Sequence, residues 1–109
     1  MINSLSTQLH EDERRLLIEW VKDFPVKNCK ALIVKEKVPL GDHYHKNKEE
    51  IFYLLCGAGE VILDGISTPL VFNDIVHVKR GVRHTFLLES GSILLEAGTE
   101  PFDPTDDYK

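Results

Sequence analysis

The chain has 109 residues, 42% of them hydrophobic, which suffices for one ordinary core and not for two. Its 13 basic and 18 acidic residues give a formal charge of −5 with the signs interspersed, so no basic stripe is available for a phosphate backbone and a nucleic-acid partner is not expected. The longest apolar runs, such as 51–56, are far too short to span a bilayer, and the N-terminus lacks the basic region and apolar core of a leader, so a cytoplasmic protein with no membrane partner is expected.

In chain order the residues set out one domain in three parts: an N-terminal segment over 1–25, a barrel over 31–97 and an acidic tail over 98–109. Between 9 and 24, Leu16, Leu17, Trp20, Val21 and Phe24 recur at helical spacing behind the acids Glu11, Asp12 and Glu13, which suit a helix N-terminus, and Pro25 closes the run. Leu16, Leu17 and Ile18 would serve equally as an extra strand, so both readings stay open there. After Pro25 the chain is a succession of short β-branched and aromatic runs over 31–38, 51–55, 60–63, 70–72, 75–78, 85–88 and 92–96, the pattern of an all-β sandwich or barrel. Asp64-Gly65 is a hairpin signal, and Asn73-Asp74, Arg80-Gly81 and Ser90-Gly91 mark further reversals. Ile51, Phe52, Tyr53, Leu54 and Leu55 cannot all face one small interior, and the surplus face predicts a covering layer, most simply a homodimer partner. Cys29 and Cys56 stand in no metal or redox spacing and are expected reduced and buried.

Chemistry concentrates in Gly41, Asp42, His43, Tyr44 and His45, followed by Glu49 and Glu50 and, far downstream, by Gly81 and His84. Residues two apart on a strand share a face with Cβ atoms roughly 7 Å apart, so His43 and His45 can converge on one ion. Glu50 shares parity with Phe52 and Leu54, and His84 with Phe86 and Leu88, which puts both above an apolar floor. Three imidazoles and a carboxylate suit divalent Fe, Mn, Ni, Co or Zn and leave positions open for substrate.

These residues resemble the cupin superfamily. Gly41 through His43, His45 and Glu50 to Gly57 is similar to its first motif, and Asp74 through Gly81 to His84 to its second. The family's spacing of six residues between glutamate and glycine selects Glu50 over Glu49. Asn73, Lys79 and Leu88 depart from the family's usual glycine, proline and asparagine, and Gly41 stands closer to His43 than usual, but the ligand set is intact. The resemblance implies a small antiparallel jelly-roll barrel, with His43, His45, Glu50 and His84 as metal ligands inside one end.

Several functions follow from that resemblance. The first is a metal-dependent enzyme, an isomerase or dioxygenase, acting on a small polar metabolite such as a sugar or keto acid. A proton donor would be needed, and the candidates are Tyr44, Tyr53, His77 and Glu49. The second rests on Asp12-Glu13-Arg14 with Leu16, which resemble the start of nucleotide-sugar epimerases and 3,4-ketoisomerases, and on the stretch from Glu100 to Tyr108, which resembles the ketoisomerases' acidic ending. Those enzymes generally work without a metal, and the histidines would then be acid and base. The third is a non-enzymatic module that binds a small ligand. His10, Arg83, Lys35, Lys37 and Glu49 are expected on the surface, and His77 on the outer face of a strand.

Overall fold

After Pro25 the period-two alternation of β-branched and aromatic residues with polar ones commits the chain to extended backbone. The computed structural model describes residues 2–3 and 8–109. Within them lie strands β1 (Ile2–Asn3), β2 (Gln8–Glu11), β3 (Leu16–Ile18), β4 (Asn28–Ile33), β5 (Leu40–His43), β6 (Glu50–Cys56), β7 (Ala58–Leu63), β8 (Ile66–Val71), β9 (Ile75–Val78), β10 (His84–Leu88) and β11 (Ile93–Gly98), and a 3₁₀ turn at Pro104–Asp106. The pairings are antiparallel, in a sheet ordered β1-β9-β6-β11-β4, a sheet ordered β5-β10-β7-β8, and a separate hairpin of β2 and β3. The fold is the small antiparallel jelly-roll barrel.

One core fills the space between the two larger sheets. Phe52, Leu54, Val76, Val78 and Leu94 from the first meet Val61, Leu70, Phe86 and Leu88 from the second, all of them buried. Phe52 and Phe86 touch across the gap with ring centroids 4.7 Å apart. Each such side chain contributes roughly 1.5–3 kcal/mol by leaving water. Asp64 and Gly65, both at positive φ, make the β7–β8 turn as expected. Gly57 sits at φ +102 where β6 passes into β7, and a Cβ there would lie 2.1 Å from Ser92 Oγ, so only glycine fits.

Four expectations need correction. No helix forms over 9–24: Glu11 ends β2 and Asp12 and Glu13 lie in the turn, in which the Asp12 carboxylate accepts from the backbone N–H groups of Arg14 and Arg15, and the chain folds back as the β2–β3 hairpin. The extra-strand reading therefore holds, although the first residues of that segment, 1 and 4–7, lie outside those described. The run 31–38 leaves the sheet after Ile33, and the strand expected to carry both His43 and His45 is β5, which begins at Leu40 after Pro39 and ends at His43, so His45 falls just beyond it. The surplus face of β6 is covered in part by the chain itself, because Trp20 stacks on Tyr53 at 5.9 Å and Tyr53 is only 1% exposed, while Leu55 on the same face is 41% exposed. Both cysteines are exposed rather than buried. Cys29 lies on the edge strand β4, and Cys56 lies where the β6–β11 register shifts.

Candidate functional site

Strands of both sheets order their interior residues alike, from the core toward one end of the barrel. On β10 the series is Leu88, Phe86, His84; on β6 it is Leu54, Phe52, Glu50; on β11 Leu94 is followed by Glu96. The two-residue period therefore carries each strand from apolar to ionisable, and the ionisable ends meet.

His43 joins them through a bulge. Leu40 lies opposite Phe86, Gly41 opposite Thr85 and His43 opposite His84, so Asp42 is an extra residue in β5, at φ 73. Because Asp42 is bulged out of the pairing, Leu40 and His43 share the interior face; three positions apart in a regular strand, they would point to opposite sides. Arg83 donates to the Asp42 carboxylate at 2.9 Å on the outside and holds the bulge. His45 lies just beyond the strand, in a loop whose Tyr44 bridges to Tyr108.

The three imidazoles converge. Ring centroids are 4.6 Å apart for His43–His45, 4.6 Å for His43–His84 and 5.5 Å for His45–His84, and one ligand nitrogen from each lies within 4.8 Å of the others. Glu50 Oε1 is 3.4 Å from His45 Nε2 and 3.5 Å from His84 Nε2. It has no hydrogen-bond partner, and it is the one such buried side-chain oxygen or nitrogen among the described residues. Glu50 Oε2 faces the buried ammonium of Lys48 at 3.6 Å. Nδ1 of His84 is hydrogen-bonded to the Val82 carbonyl and Nδ1 of His45 to the Asp106 carbonyl, while Nδ1 of His43 lies 3.0 Å from the charge of the Asp107 carboxylate.

Burial sets the protonation states. It holds His84 down to about 4, helped by the neighbouring His43 and His45 and opposed by the bond to Val82. The same loss of water, with repulsion from His45, lowers His43 against the pull of Asp107. Both rings are therefore neutral near pH 7. Glu96 goes the other way, pushed up to about 7 by burial first, then by its hydrogen bond to Glu50 and that residue's charge.

Residues 33–96 match the cupin domain family and contain the whole quartet of His43, His45, Glu50 and His84. The chain belongs to the cupin family. No curated protein sequence matches this cupin. Solved structures with the same fold include ChmJ, a 3'-monoepimerase from Streptomyces bikiniensis in complex with dTDP-quinovose, with a TM-score of 0.82 and 19% identity over 92% of this chain. The cupin spans 65% of the length of that chain. A 3,4-ketoisomerase from Helicobacter canadensis gives a TM-score of 0.82 and 19% identity, covering 98% of this chain and 87% of that one. The TDP-quinovose 3,4-ketoisomerase WlaRB from Campylobacter jejuni gives 0.81 and 20%, covering 99% and 90%. At such identities the likeness is one of fold.

The quartet opens on a cavity of about 140 Å³ in the cupin barrel, floored by Phe52 and Phe86 and reached by Lys30, Lys48 and Glu96. Those three charged residues were not among the sequence candidates. Glu96 stands two after the interior Leu94, Lys30 two before Leu32 and Lys48 two before Glu50; a charge at interior parity was the available signal. The other candidates lie elsewhere. Glu49 pairs with Arg80 at 2.8 Å and His77 at 3.2 Å on the outer face, Tyr53 donates to Asn73, and Tyr44 stacks on Tyr108. Lys35, Lys37 and His10 are exposed, as is Arg83 through its side chain.

Proposed function

We propose that this cupin transforms a small, oxygen-rich carbonyl metabolite of the sugar or keto-acid class at a divalent transition-metal ion held by His43, His45, Glu50 and His84. One observation carries the metal: the facing of Glu50 Oε1 and two Nε2 atoms. Nδ1 of His45 and of His84 meets a carbonyl oxygen, which only accepts, so each Nδ1 carries a hydrogen, and the neutral ring of His84 turns a lone pair toward Glu50. Buried acceptors facing one another without a donor are costly, and a cation among them removes the conflict. The donor set, three imidazoles and one carboxylate, suits Fe, Mn, Ni, Co or Zn.

A divalent ion bound there polarises a carbonyl or a pair of vicinal hydroxyls as a Lewis acid. The residues of the chain do the rest. Phe52 and Phe86 keep bulk water from the floor, and Glu96, a carboxyl poised near neutrality and open to the cavity, can give or take a proton at a bound substrate. A cavity of about 140 Å³ is small beside ligand pockets of roughly 300–1,000 Å³, so it takes the reacting end of a molecule whose remainder lies at the mouth.

A second reading is favoured by the company of the fold, sugar epimerases and ketoisomerases, one of them bound to dTDP-quinovose. In that reading the substrate is a nucleotide sugar, and a proton rather than an ion closes the contact, His45 or His84 acting as acid and base. Elemental analysis of protein purified without an affinity tag separates the two. Stoichiometric metal in the wild type, lost in His84→Ala, is the expected result; a metal-free wild type sinks the metal reading. A thermal-shift panel of nucleotide sugars, free sugars and keto acids then identifies the ligand class, and stabilisation by nucleotide sugars alone supports the second reading.

A further inference from the structure

Two of the three Nδ1 tethers come from one short segment near the end of the chain. His84 is held locally, by Val82 two residues before it. His43 and His45 are held by consecutive residues, Asp107 through its carboxylate at 3.0 Å and Asp106 through its carbonyl, the latter 61 positions from His45 in sequence. The segment is itself fixed at three points. Asp103 opens the turn by accepting from Thr105 N–H and Oγ1 at 2.9 and 2.7 Å. The carboxylate of Asp106, 3% exposed, accepts from the backbone N–H groups of Lys46 and Asn47 at 2.9 and 3.2 Å. Tyr108 and Tyr44 exchange backbone hydrogen bonds at 2.9 and 3.1 Å, and their rings stack with centroids 5.3 Å apart. The strap therefore closes on the stretch that carries His43 and His45.

We propose that residues 103–108 form a positioning clasp for the centre, in which Asp107 and Asp106 fix the Nδ1–H tautomer and the orientation of His43 and His45. With Nδ1 committed, only Nε2 is left to ligate in each ring. Acceptors behind ligating histidines set ring orientation and raise ligand basicity, and their loss typically costs about 10–100-fold in metal affinity. The carboxylate of Asp107 acts on His43 by its charge, 3.0 Å from Nδ1, and so favours the hydrogen on that nitrogen, whereas His45 and His84 donate to carbonyls. The effect on affinity rests on the metal reading above; the effect on the tautomer does not.

Asp107→Ala and Asp107→Asn test the clasp, with circular dichroism and thermal melting to confirm the fold. In the chelator-treated protein, long-range ¹⁵N–¹H spectra of the imidazoles report the tautomer. The wild type and Asp107→Asn, whose amide oxygen still accepts, are expected to keep His43 as the Nδ1–H form; Asp107→Ala is expected to shift it toward a mixture. Chelator competition with Co(II) is expected to show affinity falling about 10–100-fold in Asp107→Ala, with a changed visible spectrum, and by a smaller factor in Asp107→Asn. An unchanged tautomer together with unchanged affinity and spectrum would overturn the clasp. A wild type that binds no Co(II) fails the metal reading alone, and the tautomer comparison then decides the clasp. Should Asp107→Ala not fold, Asp107→Asn carries the test, and wild-type affinity and His43 Nδ1-proton shift in it would overturn the proposal.

Discussion

Glu50 concentrates the conflict at this centre in a single atom. Its Oε1 is buried without a partner while Oε2 faces Lys48 at 3.6 Å. An amide in its place would resolve the conflict by a different route: Glu50→Gln can keep an oxygen toward Lys48 and turn its N–H toward the lone pair of His84. Removing the orphan is worth about 1–3 kcal/mol. The loss of negative charge beside Lys48 is offset by Glu96, which is held protonated in part by Glu50 and drawn toward ionisation by Lys30 and Lys48. In the presence of chelator, Glu50→Gln should melt several degrees above chelated wild type, and added metal should stabilise only the wild type. Differential scanning calorimetry reads both effects. A chelated variant that melts below chelated wild type would show that Oε1 is not under the stress inferred for it.

At the scale of the element, the site accommodates one extra residue in β5. Deleting Asp42 would make the pairing with β10 regular and keep His43, then two residues from Leu40, on the interior face opposite His84, while Leu40 and the core behind it stay in place. The deletion is expected to keep both its far-ultraviolet dichroism and its bound metal by elemental analysis; loss of most of the metal would mean that the bulge itself, and not the parity it preserves, aims His43. Asp42 also shows where sequence patterns stop. Residues with a local signature were legible: the strand runs, the Asp64-Gly65 turn, and the parity that puts Glu50 and His84 above Phe52 and Phe86. The bulge was not, because a single extra residue is defined only by the partner strand. Glu11, Asp12 and Glu13 misled for a related reason, since acids suit the first turn of a helix and the turn of a hairpin equally, and only the pairing of His10 with Leu17 decides. The tethers from Asp106 and Asp107 join positions about sixty residues apart and leave no periodic trace at all.

At the scale of the molecule, the hairpin of β2 and β3 is the element that one copy of the chain leaves unexplained. It forms a sheet of its own, and Leu9 is 60% exposed, with Leu16 and Leu17 exposed beside it. An isolated two-stranded hairpin is marginal in water, so apolar side chains on both of its strands call for a surface to pack against. The principal extents of 46 × 30 × 22 Å show an elongated chain, which suits reaching across to a neighbour. Trp20 covers Tyr53 on the face of β6 that the sequence offered as the seam, where Leu55 alone stays 41% exposed, so this arm adds the larger apolar surface for association. A second copy is the simplest partner, joined by a two-fold axis. Light scattering on the eluted peak should give twice the 12.4 kDa of the chain, and the double substitution Leu9→Glu with Leu17→Glu should give the single mass. No member of the quartet lies on β2 or β3, so that monomer should bind metal as the wild type does. A wild type that is monomeric at micromolar concentration would refute the arm as a dimer contact, because its exposed leucines would then be tolerated with no partner.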